Sequence, residues 1–178
     1  MKQEIQVLDY AKEITSALNK GVLLTTKNGN KINMMTIGWG TLGTIWNRPI
    51  FTIYVREGRF TREQLDASGE FTVNIPYGTF DHKIIGYCGS RTGRAINKAQ
   101  DLQLTLVDSD LVQAPGIKEL PLTLECKILY RQPFDPNAIP EDIRKTCYPP
   151  DVESTNPMAN KDYHVAYFGQ VVKAYLIK

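Results

Sequence analysis

The chain has 178 residues, of which 42% are hydrophobic and 22% are charged, and its formal net charge is +2. These values are ordinary for a globular protein, and the length predicts a single domain over residues 1–178. The small net charge argues against a basic nucleic-acid surface, and no apolar run reaches membrane-spanning length. We therefore expect no nucleic-acid partner and no membrane partner.

The cysteines and histidines indicate a reduced compartment without a zinc site. Cys88, Cys126 and Cys147 are odd in number and form no CxxC pair. His82 and His164 lie far apart, and neither has a cysteine at metal-ligand spacing. The first fourteen residues contain acids where a signal peptide would be apolar. Together these features predict a cytoplasmic protein.

The predicted elements, in chain order, begin with a helix over residues 7–18. Short helical pieces are expected within 79–100, and the Pro- and Asp-rich segment 134–161 is typical of a long loop with a short helix near 140–146. The alternating pattern over 120–130 predicts a strand with one buried face. Further strands are predicted between turn signals at 22–26, 32–37, 50–55, 71–75, 102–107 and 163–177. This order, without βαβ alternation, predicts a mainly β (α+β) barrel or sandwich with peripheral helices.

An arginine-rich turn is the first candidate binding feature. Arg56, Arg59 and Arg62 surround the turn that leads from the 50–55 strand into a helix. Thr61 and Gln64 have the spacing of a capping box, which predicts that the helix begins at Thr61. Free backbone N–H groups and the positive end of the helix dipole would then face the arginines and form a phosphate site. A solvated basic turn that caps a surface helix is the alternative.

A glycine-rich segment near this turn matches the glycine spacing of a dinucleotide-binding loop but lacks the structural context of one. Residues 38–43 match GxGxxG, but Pro49 follows too soon for the helix that a dinucleotide fold requires. Glycines beside Trp39 and near an anion site instead suggest a surface for a phosphorylated heteroaromatic cofactor. The alternative is that Trp39 and Trp46 are core residues at a bulged barrel corner.

Four stretches of the chain resemble the flavin reductase-like family of FMN-binding split barrels, particularly its flavoredoxin-type branch: NMMTIGWGT, FTIYVREGRFTREQLDASGEFTVNIP, YCGSRTGR and YHVAYFGQVV. The resemblance implies a six-stranded Greek-key split β-barrel with peripheral helices, which forms a homodimer and binds FMN near the subunit interface. It implies that the flavin lies along Asn33, Met34, Met35, Thr36, Trp39, Gly40 and Thr41. It implies a phosphate-binding turn at Arg56, Arg59 and Thr61. It also implies a loop that closes over the cofactor, formed by Cys88, Gly89, Ser90 and Arg91.

Two site residues have competing interpretations. His164 corresponds to the histidine of the family's last-strand motif, although Tyr163 here separates Asp162 from it. The resemblance implies a catalytic or substrate-positioning role for His164, whereas a lone strand histidine is usually structural. A redox role for Cys88 would need exposure and a low thiol pKa, so packing is the simpler interpretation.

The resemblance implies an NAD(P)H-dependent flavin reductase-like oxidoreductase. Such an enzyme passes hydride from NAD(P)H to flavin and electrons onward to a second acceptor, either a protein or a small molecule. The alternatives are an FMN-bearing, flavoredoxin-like electron carrier reduced by a protein partner, and a flavin-storage or sensing protein. The long 134–161 loop would act as a lid over a nicotinamide pocket or as dimer packing.

Overall fold

The computed structural model describes residues 1–178 as ten strands and five α-helices. The strands are β1 (Lys2–Glu4), β2 (Val22–Asn28), β3 (Lys31–Ile37), β4 (Gly40–Ile45), β5 (Arg48–Arg56), β6 (Glu70–Ile75), β7 (Leu106–Val107), β8 (Gly116–Ile117), β9 (Leu122–Pro133) and β10 (His164–Ile177). The helices are α1 (Ala11–Leu18), α2 (Phe60–Ser68), α3 (Lys83–Ser90), α4 (Lys98–Asp101) and α5 (Glu141–Cys147), with 3-10 turns at Val7–Tyr10 and Pro136–Ala138. The mainly β prediction with peripheral helices is confirmed.

Eight strands form one antiparallel sheet in the order β3-β2-β6-β9-β10-β5-β4, with β1 paired to the end of β10. β10 is a long interior strand that pairs with β9 on one side and with β5 on the other. β3 and β4 lie at opposite ends of this order, although only Gly38 and Trp39 separate them in the chain. The sheet must therefore curl until its two ends approach each other.

The core fills the inside of this curled sheet. Its largest cluster contains 20 buried residues and joins α1 and α2 to the inner faces of β2, β5, β6, β9 and β10. A second cluster of eight buried residues packs α3 and α4 against the outer face of the β2–β3 hairpin. As a result, Leu24 of β2 faces the main core while Leu23 faces the second one. The hairpin is thus held rigidly on both sides.

Two strand predictions need correction. The alternation over 120–130 predicts one buried face, but both faces of β9 are buried from Leu122 to Cys126. The outer face is covered because the Glu125 carboxylate accepts hydrogen bonds from the backbone amides of Asp110 and Leu111, at 2.8 and 2.7 Å. The predicted strand over 102–107 is reduced to β7, which pairs only with the two-residue β8.

The glycine-rich segment continues into a strand, which confirms that it is not a dinucleotide-binding loop. It enters β4, and a tight hairpin at Trp46 and Asn47 leads into β5. Both turn residues have left-handed φ values, 53° and 56°, as a type I′ hairpin requires. Trp39 and Trp46 are 44% and 56% exposed, so the interpretation of both as core residues is wrong.

Candidate functional site

A cavity of about 760 Å³ opens between β3, the first turn of α2, the end of α3 with the loop after it, and residues 146–159. This volume falls within the range of small-molecule and cofactor sites, roughly 300–1,000 Å³. Most of the residues predicted from the sequence line it: Asn33, Met35, Thr36, Trp39, Arg56, Arg59, Thr61, Cys88, Gly89, Ser90, Arg91 and His164.

Three predicted residues do not line this cavity. Met34 points its side chain into the second core cluster, and its carbonyl oxygen accepts a hydrogen bond from Lys98. Gly40 lines a separate hollow of about 470 Å³ on the other side of Trp39. Thr41 lies one residue further along β4 and lines neither space. The flavin contacts that the resemblance implies for these three stay predictions.

The helix that leads away from the cavity is capped differently from the prediction. α2 begins at Phe60 with Arg59 at its N-cap, and no side chain caps it, so the capping-box prediction is wrong. Thr61 and Gln64 are each 2% exposed, and their side chains form hydrogen bonds with the β2–β3 hairpin instead. The Thr61 hydroxyl accepts a hydrogen bond from the Asn33 side-chain amide at 2.8 Å. The backbone N–H groups of Phe60 and Thr61 donate to no protein atom. The positive end of this helix remains available to an anion.

The charges along the cavity wall all have one sign. Five cationic residues and no acidic residue line it: Arg56, Arg59, Arg91, Arg94 and Lys98. Burial lowers the pKa of the Arg59 guanidinium, which means that its charge has lost part of its hydration. Arg94 is already neutralised by an ion pair with Glu63. The remaining charges favour an anionic ligand.

Arg56 has a different role from the one predicted. Its guanidinium donates to four backbone carbonyl oxygens, those of Cys147 at 3.1 Å, Met158 at 2.8 Å, Asn160 at 3.3 Å and Asp162 at 2.5 Å. These bonds use its terminal N–H groups, so Arg56 has no terminal donor left for a phosphate. It instead fixes residues 147–162, hereafter the covering segment, beside the cavity.

Lys98 is a cavity residue that sequence reasoning missed. Its side chain is 4% exposed, and its Nζ donates to the carbonyl oxygens of Met34 and Cys88, both at 2.8 Å. Burial lowers the pKa of this ammonium group to about 8. Two of its three hydrogens are engaged, which leaves the third for a ligand. The sequence around Lys98 looks like a solvated surface turn and carries no signal of burial.

Cys88 behaves as a packing residue. It is 1% exposed, and burial raises the pKa of its thiol to about 11. A thiol that keeps its proton is a poor nucleophile and a poor redox group. The packing interpretation of Cys88 is supported.

Two aromatic side chains, those of Trp39 and His164, form part of the cavity wall. The Trp39 indole lies against the His164 imidazole, with ring centroids 4.7 Å apart and planes 37° apart. Burial, followed by the nearby charges of Arg56 and Arg59, lowers the pKa of His164 to about 3. His164 is therefore uncharged at physiological pH and presents a neutral aromatic surface.

The last turn of α3 and the loop after it lie directly against β3 because each contains a glycine at the contact. A Cβ atom at Gly93 would collide with the Asn33 side-chain oxygen, and one at Gly89 would meet Thr36 at 3.3 Å. The Asn33 Oδ1 atom is enclosed and accepts no hydrogen bond. The close approach of this loop sets the width of the cavity.

The covering segment and its neighbour Thr146 supply further lining residues that sequence analysis did not foresee. Its turns have no periodic pattern, so nothing in the sequence shows which side chains face inward. The cavity-lining residues from this part of the chain are Thr146, Cys147, Ser154, Thr155, Pro157, Met158 and Ala159.

The family described as "Flavin reductase like domain" matches residues 16–178. The chain belongs to this family. A protein of Archaeoglobus fulgidus described only as uncharacterized is 32% identical over 100 residues, which are 56% of this chain and 55% of that protein. The chain thus matches about half the length of this relative.

Solved structures show the same fold. The flavoredoxin of Methanosarcina acetivorans is similar over 89% of this chain and 68% of its own, at 24% identity and a TM-score of 0.64. An FMN-binding domain of a flavin reductases-like enzyme from Shewanella baltica is similar over 99% of this chain and 77% of its own, at 15% identity and a TM-score of 0.66. The prediction of a flavin reductase-like split barrel is confirmed. No helix of this chain has the length and apolar composition needed to cross a bilayer.

Proposed function

We propose that the cavity binds FMN and that the chain is an NAD(P)H-dependent oxidoreductase, which passes electrons from the flavin to a second acceptor. One observation carries this proposal: a single cavity is lined by cationic residues without any acid and also by the exposed Trp39 ring. FMN has the matching chemistry, since it joins a phosphate to a planar ring system. Membership of the flavin reductase family supports the same assignment.

The cationic part of the cavity wall fits a phosphate. Arg59 retains donors beyond the one that binds the Asn156 carbonyl oxygen at 3.0 Å. The unbonded amides of Phe60 and Thr61 lie at the positive end of α2, and Lys98 has one free hydrogen. Charge-assisted hydrogen bonds of this kind are the strongest that a protein offers to a phosphate.

The residues around Trp39 fit a ring. Trp39 offers a flat uncharged surface with His164 packed against it, and β3 is an edge strand of the sheet. Alternate backbone groups of an edge strand point away from the sheet, so those near Thr36 can bond to the polar edge of a ring. We propose that these groups orient the flavin.

FMN, when bound, would supply the redox chemistry by accepting a hydride from reduced nicotinamide and giving up electrons to the second acceptor. The protein contributes binding, orientation and a positive field. Arg59 and Lys98 stabilise negative charge in the cavity, while the covering segment shields it from water. No residue is required as a nucleophile, which agrees with the protonated thiol of Cys88.

A second candidate function is an FMN-bearing electron carrier that a protein partner reduces. The covering segment favours it, because Arg56 fixes this segment against the cavity and thereby limits the space for a second ring. The solved relative from Methanosarcina acetivorans is called a flavoredoxin, which is compatible with this role.

An anaerobic absorbance titration of the FMN-loaded protein with NADH and with NADPH separates the two functions. We expect the oxidised flavin band to bleach near one equivalent of one donor, because a reductase must bind reduced nicotinamide beside the flavin. The control is free FMN with the same donors at the same concentrations. Bound flavin that stays oxidised with both donors contradicts the reductase and supports the carrier.

A further inference from the structure

Tyr148, at the start of the covering segment, contacts the cavity histidine directly. Its side chain is 4% exposed, and its Oη lies 2.8 Å from Nδ1 of His164. The Tyr148 ring stacks on Tyr163 with centroids 4.6 Å apart, and the Arg56 guanidinium lies 5.2 Å from its centre. The hydroxyl is therefore held in one position relative to the imidazole.

Both partners of this hydrogen bond stay uncharged over a wide pH range. Burial raises the pKa of Tyr148 to about 12 and lowers that of His164 to about 3. Arg56 and Arg59 disfavour a charged imidazole. At Tyr148 burial is the largest effect and opposes the phenolate; Arg56 favours the phenolate, while Cys147 and Tyr163 disfavour it. The Tyr148 hydroxyl and the neutral His164 imidazole therefore each carry one polar hydrogen whose position has to be assigned.

The hydrogen-bond network fixes where these hydrogens lie. The Tyr148 hydroxyl has no acceptor other than His164 Nδ1. If Nδ1 carried the hydrogen and donated it to Oη, the hydroxyl hydrogen would be buried without a partner, which is costly. The hydroxyl must therefore donate to Nδ1, and this places the imidazole hydrogen on Nε2.

The Nε2–H group of His164 is free and accessible. It bonds to no protein atom, and His164 Nε2 is not among the enclosed side-chain atoms that lack a partner. His164 lines the cavity, so the accessible nitrogen opens into it. An N–H donor at this point can bond to a carbonyl oxygen of a ligand, while the positive charge of Arg59 favours the ligand's anionic group.

We infer that Tyr148 is a positioning residue that holds His164 as its Nε2–H tautomer, so that the histidine donates a hydrogen bond to a carbonyl oxygen of the ligand in the cavity. The choice of ligand rests on the proposed function. Two sources share this chemistry: a carbonyl of the flavin ring and the carboxamide of the nicotinamide. His164 then acts as a hydrogen-bond donor and exchanges no proton during the reaction.

Nitrogen NMR of the ligand-free protein labelled at histidine tests the tautomer without any flavin. The chain has two histidines, and a His82→Gln variant identifies the His164 signals. We expect a protonated Nε2 and a hydrogen-bonded, unprotonated Nδ1 in the wild type. In Tyr148→Phe the Nδ1–H tautomer should gain population roughly 2- to 10-fold, the range of one neutral hydrogen bond, so the two nitrogen resonances move towards each other.

Tyr163→Phe is the matched control, because it removes a hydroxyl from the ring stacked on Tyr148 but touches no His164 hydrogen bond. Its His164 spectrum should equal that of the wild type. A hydrogen on Nδ1 in the wild type, or equal spectra for Tyr148→Phe and the wild type, overturns the inference. Because the protein carries no flavin in this experiment, the result does not depend on the proposed function.

Stepwise additions then identify the acceptor. A shift of the His164 Nε2–H resonance on addition of FMN alone assigns the carbonyl to the flavin. A shift that appears only when NAD⁺ is added to the FMN-loaded protein assigns it to the nicotinamide carboxamide. An Nε2–H resonance that neither addition moves, while FMN binding itself is seen by calorimetry, overturns the role of His164 as a donor and leaves FMN binding intact.

Discussion

Replacement of Arg56 by Ala is expected to lower the free energy of unfolding by about 3–5 kcal/mol. Arg56 is 6% exposed, and its guanidinium donates hydrogen bonds to four backbone carbonyl oxygens of the covering segment. Without it these carbonyls lose their partners in a site with little access to water. If the covering segment opens partly in the variant, water can hydrogen-bond to these carbonyls, and this limits the loss in the free energy of unfolding.

Urea denaturation of Arg56→Ala measures this effect, and Arg48→Ala is the matched control. Arg48 lies on the same strand, is exposed, and donates one hydrogen bond to Gln170 at 2.8 Å. We expect the control to change stability by less than about 0.5 kcal/mol. Equal losses for the two variants would show that Arg56 does not fix the covering segment.

Arg59→Ala should weaken FMN binding by about 1.5–3 kcal/mol, which is roughly 10- to 150-fold in the dissociation constant. The Arg59 guanidinium lines the cavity beside the free amides at the start of α2, and burial has already removed part of its hydration. Its charge-assisted bond to a phosphate is therefore strong.

Isothermal titration calorimetry with FMN compares this variant with Arg62→Ala. Arg62 lies on the same helix but pairs with Asp66 at 3.2 Å and does not line the cavity. The control variant should retain the wild-type affinity to within a factor of about 3. If both variants bind FMN as tightly as the wild type, Arg59 is not part of the phosphate site.

Local sequence patterns were sufficient for most of the fold. The strands at 22–26 and 32–37 were predicted because turn signals bound them, and β10 because β-branched and aromatic residues dominate it. The family resemblance correctly grouped Trp39, Arg59 and the loop after Cys88 around one space. These features depend on residues that are close in sequence or on motifs of fixed order.

The misassigned residues depend on partners that are distant in sequence. Arg56 and Arg59 look alike locally, but the carbonyls that engage Arg56 lie 91 to 106 residues away. Thr61 and Gln64 have capping-box spacing, yet tertiary partners in the β2–β3 hairpin compete successfully for their side chains. Lys98 is buried only because the fold brings two carbonyl oxygens to it. No local pattern contains this information.

The central claim is that one cavity holds a flavin with its phosphate at the cationic part of the wall, and a comparison of FMN with riboflavin tests it most directly. The two ligands differ only by the phosphate, so calorimetry of the ligand-free protein with each of them measures its contribution. We expect FMN to bind at least about 100-fold more tightly than riboflavin, a difference of roughly 2.7 kcal/mol, and the difference should shrink as salt is raised. Equal affinities for the two ligands, or no binding of FMN, would contradict the account.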